Sequence, residues 1–351
     1  MSETTYDKAR AFWDKHHHIN EDPEISWMAE PKCREAINRR VSGEPGVWPI
    51  VAFQWYIGRR FRRGLSLGSG LGNLERAVRQ IDLCQEIEGV DASDVSLDIA
   101  RSRAQAEGHT GISYRVGDMN TLRLPRERYD AVFFHASLHH VRSIEKLLAR
   151  VERAMTPDGV LYLEEWVGPS RTEWSDARLA KMRALYAELP ESWRAFPVLL
   201  APIEPDDPSE GVRSSAILPA VRRLFHVIVE RPFGGHLVAI ILSQLARDKV
   251  PEPDRQALIE RLLALEDEDL AKDPSCSYHA VVVARRRSGL ARGAGRVRSF
   301  AVQLGVGTRH LIEAGWQTLI ARRVRAARQT RAGRELVRRL RPLVRRWRGS
   351  S

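Results

Sequence analysis

The sequence predicts an α/β protein built on a parallel sheet. Three observations carry that prediction. Short apolar, β-like runs alternate with longer amphipathic segments, a glycine-rich turn joins one such run to a helix, and the chain is long enough to bury a full core. In order, the candidate strands are Leu65–Gly68, Glu86–Asp91, Ile112–Val116, Tyr129–His135 and Val160–Trp166. Helical patterns fall between them at Asn73–Gln80, Ser93–Glu107 and Ser143–Met155, the last closed by a Pro157-Asp158-Gly159 turn. Right-handed crossovers between five such strands give a parallel sheet. The stretch Gly168–Leu224 carries Pro190, Pro197, Pro202, Pro205 and Pro208 and is too long for a simple loop. It reads as a cap inserted over the sheet, with helix near Ala177–Glu188. Phe225–Arg231 and Tyr278–Ala284 read as two further strands, separated by helical segments within Gly235–Arg247 and Arg255–Ala271.

Composition narrows the classes. With 351 residues, 43% apolar and 29% charged, the chain is neither disordered nor membrane-spanning in bulk. Cys33, Cys84 and Cys276 are odd in number and far apart, which argues against a disulfide framework or a zinc ribbon and for a reducing, cytoplasmic setting. The first thirty residues lack a basic start followed by an apolar stretch, so no signal peptide is expected. The longest apolar run, Leu237–Leu242, falls far short of the roughly 20 residues that a bilayer span needs.

The strongest motif is Leu65-Ser66-Leu67-Gly68-Ser69-Gly70-Leu71-Gly72, a strand entering a glycine-rich turn before a helix. Glycines let the backbone turn sharply and let a ligand lie against bare amides at a helix N-terminus. Asn73 stands where a dinucleotide fingerprint needs its third glycine, which points instead to a nucleoside without a pyrophosphate. Asp91 ends the next strand, where a carboxylate can accept two ribose hydroxyls. Gly117-Asp118-Met119-Asn120 follows the third strand, placed to meet an adenine edge, and Phe133-Phe134-His135-Ala136-Ser137-Leu138-His139-His140 closes the fourth on the ligand side.

Those segments, in this order and at these intervals, resemble the class I S-adenosylmethionine-dependent methyltransferases over residues 60–167. The resemblance implies a Rossmann-like, seven-stranded, mostly parallel sheet with an antiparallel last strand, and S-adenosyl-L-methionine as cofactor. It would place Gly68, Ser69, Gly70 and Gly72 around the methionine portion, Asp91 on the ribose, Asp118 and Met119 at the adenine, and His135 beside them. One position departs from the pattern: the residue two before the first glycine, usually acidic in the family, is Ser66, which leaves the partner of the methionine ammonium unassigned. The implied layout is an N-terminal helical lid (1–60), a methyltransferase domain (61–287) with its cap at about 168–224, and a tail (288–351). Segments 39–43, 164–171 and 207–215 are similar to a subgroup found in bacterial surface-glycan biosynthesis, which implies a hydroxyl-bearing sugar as acceptor.

Methyl transfer to a hydroxyl benefits from a base near the acceptor oxygen, and His139 suits that role at neutral pH, with Glu165 as the comparable candidate. Adjacent strand residues point to opposite faces, so Glu164 and Glu165 should part. A loop histidine serves equally often as a shape or hydrogen-bonding element. His16, His17 and His18 diverge by about 100° each on a helix and cannot converge on one ion, so no metal is expected. Arg213, with Ser214 and Ser215, reads equally as an acceptor contact or a helix cap.

Charge divides sharply along the chain. Nineteen arginines against Glu313 and Glu335 give residues 285–351 a net +17, which leaves −6 for the rest of a chain at +11. Leu311, Ile312, Trp316, Leu319 and Ile320, then Leu336, Val337, Leu340, Leu343, Val344 and Trp347, recur at helical spacing among the arginines. Such a stripe suits an anionic membrane surface at the inner face better than nucleic acid, which needs charge but no apolar face. The leading reading is O-methylation of a sugar hydroxyl in a glycan or glycolipid. A lipid or small-metabolite methyltransferase is the nearest alternative, and a nucleic-acid-binding protein with a methyltransferase-like body is the alternative from another class.

Overall fold

The computed structural model describes residues 5–17 and 26–287. Three helices come first: α1 (Thr5–His16), α2 (Pro31–Ser42) and α3 (Pro49–Ile57). The alternating part follows as β1 (Phe61–Leu67), α4 (Asn73–Gln80), β2 (Cys84–Asp91), α5 (Asp94–Ala106), β3 (Ile112–Val116), β4 (Tyr129–His135), α6 (Ile144–Ala154) and β5 (Met155–Trp166). Then come α7 (Asp176–Ala187), α8 (Ile217–Leu224), β6 (Phe225–Gly234), α9 (Val238–Leu242), α10 (Glu252–Lys272) and β7 (His279–Arg286).

The strands form one seven-stranded sheet in the order β3-β2-β1-β4-β5-β7-β6. Neighbours among β1 to β5 pair in parallel, and β7 runs antiparallel to both β5 and β6. The expected sheet, mostly parallel with an antiparallel last strand, is therefore the one that forms. Its pleat sorts the apolar residues into two layers. Val132, Phe134, Leu161 and Leu163 pack with Ile144, Leu147 and Val151 of α6 and Val221 of α8. Phe133 and Tyr162, on the opposite face, pack with Ile37 of α2, Phe53 of α3 and Ile259 of α10. Both layers bury nearly complete side chains, so the sheet is a rigid platform for whatever lies at its strand ends.

Two local readings are corrected. Pro157-Asp158-Gly159 does not close α6 as a separate turn: β5 already begins at Met155, and these residues take up a register shift against β4 between Tyr129 and Ala131. A bulge is one of the few places where a strand tolerates proline. β6 likewise runs on to Gly234, and its Pro232 is admissible because β6 is an edge strand.

Candidate active site

The strand order turns back between β1 and β4, and a parallel sheet leaves a crevice beyond its carboxyl ends at such a point. A cavity of about 220 Å³ lies there. In the turn after β1, Gly68, Gly70 and Gly72 take φ of 73°, 49° and 75°, which residues with side chains rarely adopt. A Cβ at Gly68 would come within 2.3 Å of Ser137 Cβ, whereas one at Gly70 would meet open space. Asp91 fixes this turn from β2. Its Oδ2 accepts from Gly70 N–H at 2.7 Å and its Oδ1 from Ser93 N–H at 3.0 Å. Burial raises the Asp91 pKa, and those backbone donors oppose the rise. Asp118 shapes the loop after β3 by accepting from the backbone and side-chain nitrogens of Asn120 at 2.8 and 3.1 Å.

Of the residues assigned to the cofactor, Gly68, Ser69, Gly70, Asp91, Asp118, Met119 and His135 line this cavity. Gly72 does not; a Cβ there would fall 2.3 Å from the Tyr114 hydroxyl, so its role is to let α4 pack against β3. Tyr6, Ala9 and Trp13 bring α1 onto the same cavity, with His17 just past its end. One acid was missed. Glu75, in the first turn of α4, is fully buried next to Ser66, itself a lining residue, and neither carboxyl oxygen completes a hydrogen bond. Burial pushes its pKa up to about 7, against the opposing influence of the Ser66 hydroxyl, His135 and Arg76. The available signal was its place beside Leu74 and three residues before Val78, on the inward face of the helix.

A second recess of about 140 Å³ shares Trp13, Met28, His135, Ala136 and His140 with the first. Its entry is strained: Ala136, just past β4, has φ 49° and is held by donating its N–H to Glu164 O at 2.8 Å. Next comes a tight turn at Leu138–His140, anchored by Glu165. Glu165 Oε1 accepts from Ser137 and Leu138 N–H at 2.7 and 2.6 Å, and Oε2 lies 2.8 Å from His139 Nδ1. Glu164 takes different partners, accepting from the Tyr162 hydroxyl at 2.8 Å and facing Arg34 and His135, each at 3.7 Å, yet it lines the same recess as Glu165, against the expectation that the two would part.

The cap supplies the rest. Glu210 Oε2 lies 3.6 Å from Nε2 of both His139 and His140. His140 Nδ1 lies 3.0 Å from Ser209 Oγ and 3.4 Å from Asp207 Oδ2, and Trp13 of α1 donates to that same Asp207 oxygen at 3.1 Å. Burial alone would lower the His139 pKa, but Glu210 and Glu165 together raise it to about 10. Placed so, His139 Nδ1 faces Glu165, which is committed to three donors. Both candidate bases line the recess and are bonded to one another. Glu210, Asp207 and Ser209 have no residue-level assignment from the sequence, because they reach the histidines only through the fold.

Beyond the recess, through Met28, Trp166, Glu210 and His279, lies a chamber of about 250 Å³ lined by Trp27, Trp174 and Arg171. Trp166 stands 6.3 Å from Trp174 and 5.0 Å from His279 between ring centroids. Arg213 is not among the lining residues; it forms a two-pronged pair with Glu145 at 2.7 and 2.8 Å and ties the cap to α6. His16 and His17 bond to the carbonyls of Phe12 and Asp14, and His18 lies outside the described residues. The tail, 288–351, also lies outside them. Among the described residues no helix is long and apolar enough to cross a membrane.

Residues 65–163 match the family model described as a methyltransferase domain. An uncharacterized methyltransferase of Bacillus subtilis, YcgJ, is 28% identical over 111 residues, covering 32% of this chain and 43% of that protein. The chain spans about half the length, or less, of the first curated relatives it matches. A demethylmenaquinone methyltransferase of Thermus thermophilus is 27% identical over 178 residues, 46% of this chain and 80% of its own. Among solved structures, phosphoethanolamine N-methyltransferase 2 of Haemonchus contortus, in complex with phosphomonomethylethanolamine and S-adenosylhomocysteine, aligns over 81% of this chain and 60% of its own. That alignment has 17% identity and a TM-score of 0.48. Residues 65–163 are thus similar to a methyltransferase domain, and the seven-stranded sheet that holds them has the Rossmann-like methyltransferase fold.

Proposed function

We propose that the protein transfers a methyl group from S-adenosylmethionine to a hydroxyl of a sugar in a glycan or glycolipid. One observation carries the cofactor half: a bare glycine turn and Asp91 converge on one cavity at the switch point of the sheet, with an unpartnered buried acid, Glu75, behind the lining residue Ser66. These groups fit the cofactor. Gly68, Ser69 and Gly70 would hold its methionine portion, Asp91 the ribose hydroxyls, and Asp118 and Met119 the adenine. Glu75, acting beside Ser66, takes the place of the missing strand acid as counter-charge to the ammonium. When bound, the cofactor supplies an electrophilic methyl on a sulfonium. The chain's own task is to present the acceptor oxygen in line with that methyl and to exclude water, and such positioning can supply several kcal/mol of a barrier. The recess at His139 lies between cofactor cavity and tryptophan-lined chamber, so His139, oriented by Glu165, is the group that meets the acceptor hydroxyl. Aromatic faces with Arg171 and Glu210 suit a ring that is apolar on its faces and polar at its rim. Phe196, Val198, Leu200 and Ile203 of the cap are exposed, and Ile203 lines the chamber, which favours a sugar carried on a lipid over a free glycan. In this reading the lid, expected over residues 1–60, is α1 alone, because α2 and α3 pack into the core against the sheet; residues 168–224 are the acceptor cap, and the Arg-rich tail a tether to an anionic membrane surface.

The test is calorimetric titration with S-adenosylmethionine and its demethylated product, followed by incubation with labelled cofactor and extracted cell glycans and lipids. Label in a lipid-linked saccharide is the expected outcome. Absence of cofactor binding by the folded chain would refute the reading.

A further inference from the structure

We infer that His139, His140 and Glu210 form a binding site for one divalent cation of the zinc, cobalt and manganese group. The two Nε2 atoms lie 3.6 Å from the same oxygen, Glu210 Oε2, and all three donor atoms are within 4.8 Å of one another. A separation of 3.6 Å is too long for a hydrogen bond. It is close to the span of roughly 3.4–3.6 Å between two ligands that each sit about 2.0–2.1 Å from a metal at tetrahedral to trigonal angles. The opposite nitrogens are already engaged: His139 Nδ1 with Glu165 Oε2 at 2.8 Å, His140 Nδ1 with Ser209 Oγ at 3.0 Å. Partners of this kind keep the proton on Nδ1 and aim both Nε2 lone pairs inward, as metal-ligating histidines require. Three carboxylates, Glu165, Asp207 and Glu210, crowd two buried imidazoles, a charge balance that a dication completes. Two nitrogens and one oxygen select this class of ion over magnesium or calcium, which prefer oxygen alone.

The site opens on the recess of about 140 Å³ that contains all three ligands, so a coordination position is left for an incoming oxygen. Resting on the methyltransferase reading, that oxygen is the acceptor's. The ion would lower the pKa of the coordinated hydroxyl; its proton passes to water, the oxygen forms its bond to the methyl carbon, and the C–S bonding pair stays on sulfur.

The full chain, stripped with chelator, is titrated with Co²⁺ and followed by visible d–d absorption, with Zn²⁺ as competitor, while binding of the demethylated cofactor is measured separately by calorimetry. One equivalent should bind. His140→Ala and Glu210→Gln should each weaken it at least tenfold, and Glu165→Gln by about 10–100-fold. Replacing His16, His17 and His18 with Gln should leave it unchanged. Circular dichroism identifies any variant that has not folded, and Glu210→Gln, the closest in shape, then decides. The inference falls if no stoichiometric Co²⁺ binds, if binding survives the ligand substitutions, or if it vanishes with His16–His18; a protonated His139 bridging Glu165 and Glu210 would replace it. Loss of cofactor binding with Co²⁺ binding intact would remove the methyltransferase reading and leave the ion site standing.

Discussion

Replacing Glu75 by Gln removes a buried charge without changing the shape of α4, and its consequence can be worked through. The carboxyl titrates near 4.5 when exposed and at about 7 in the fold, with both oxygens lacking hydrogen-bond partners. An acid whose folded pKa lies above its unfolded value favours the fold while protonated. Its contribution is whole below pH 4.5 and is lost as pH climbs through 7. Between pH 4 and pH 8 the native chain should therefore lose about 3 kcal/mol from this group alone. At about 2–4 °C per kcal/mol, the melting temperature of Glu75→Gln should gain roughly 6–12 °C on the native protein across that range. The cofactor adds a sharper readout. If its ammonium pairs with Glu75, binding ionises the carboxyl, so roughly 0.9 proton should be released at pH 6 and roughly 0.1 at pH 8. Calorimetry in two buffers of different ionisation enthalpy measures this directly. Glu75→Gln should abolish the difference and weaken binding about tenfold, the size of one charge-assisted hydrogen bond. A variant that melts in parallel with the native protein across the pH range, with the same proton release, would refute both the burial argument and the counter-charge role.

How far the site was legible follows from how local each feature is. β3 and β4 fall at the residues that the sequence indicates, Ile112–Val116 and Tyr129–His135: Gly111 and Gly117 bracket the first, and the charged pair Glu127-Arg128 precedes the apolar run of the second. β1 begins four residues before its apolar run, at Phe61, since Arg62 and Arg63 occupy the solvent end of the strand and hide its start. Asp91 and the glycine turn were readable for the same reason: strand end, turn and helix start lie within a few residues of one another. Glu75 was not, because an acid in the first turn of a helix is the ordinary complement to the helix dipole, and that reading masks its place beside Leu74 and three residues before Val78 on the inward face. His139 and His140 were visible as residues but not as a pair with Glu210. Consecutive side chains diverge on a helix, but these two sit on a tight turn that brings their rings to 4.3 Å, and Glu210 arrives from the cap, about seventy residues on. Contacts of that separation leave no periodicity to read.

The remaining predictions test other parts of the site. Gly70→Arg puts a side chain into the open space beside a residue with φ 49°, and Asp91→Ala removes the acceptor of both Gly70 and Ser93 N–H. Each should weaken S-adenosylmethionine binding by at least tenfold in calorimetry, and unchanged affinity in both folded variants would remove the pocket assignment. His139→Ala should lower turnover by ~100-fold or more with cofactor affinity little changed, with His139→Gln as the shape control; a loss below tenfold would leave the recess a positioning role only. The last concerns the tail and the place at which to cut it. β7 ends at Arg286, and the Arg287 guanidinium still donates to the carbonyls of Phe225 at 3.1 Å and Arg222 at 2.7 Å, tying the strand end to β6 and α8. A truncation after Arg287 keeps those bonds, so it should fold and bind cofactor as the full chain does, whereas one a few residues earlier would strip the edge of the sheet. The same truncation removes most of the +17 and the two apolar stripes, leaving a body of net negative charge. Cosedimentation with vesicles containing an anionic lipid should then be lost. Binding by the full chain should weaken with salt, as charge attraction does, yet keep a salt-resistant part from Trp316 and Trp347. A full chain that ignores such vesicles at low salt, or that prefers RNA to them, would end the membrane-tether proposal.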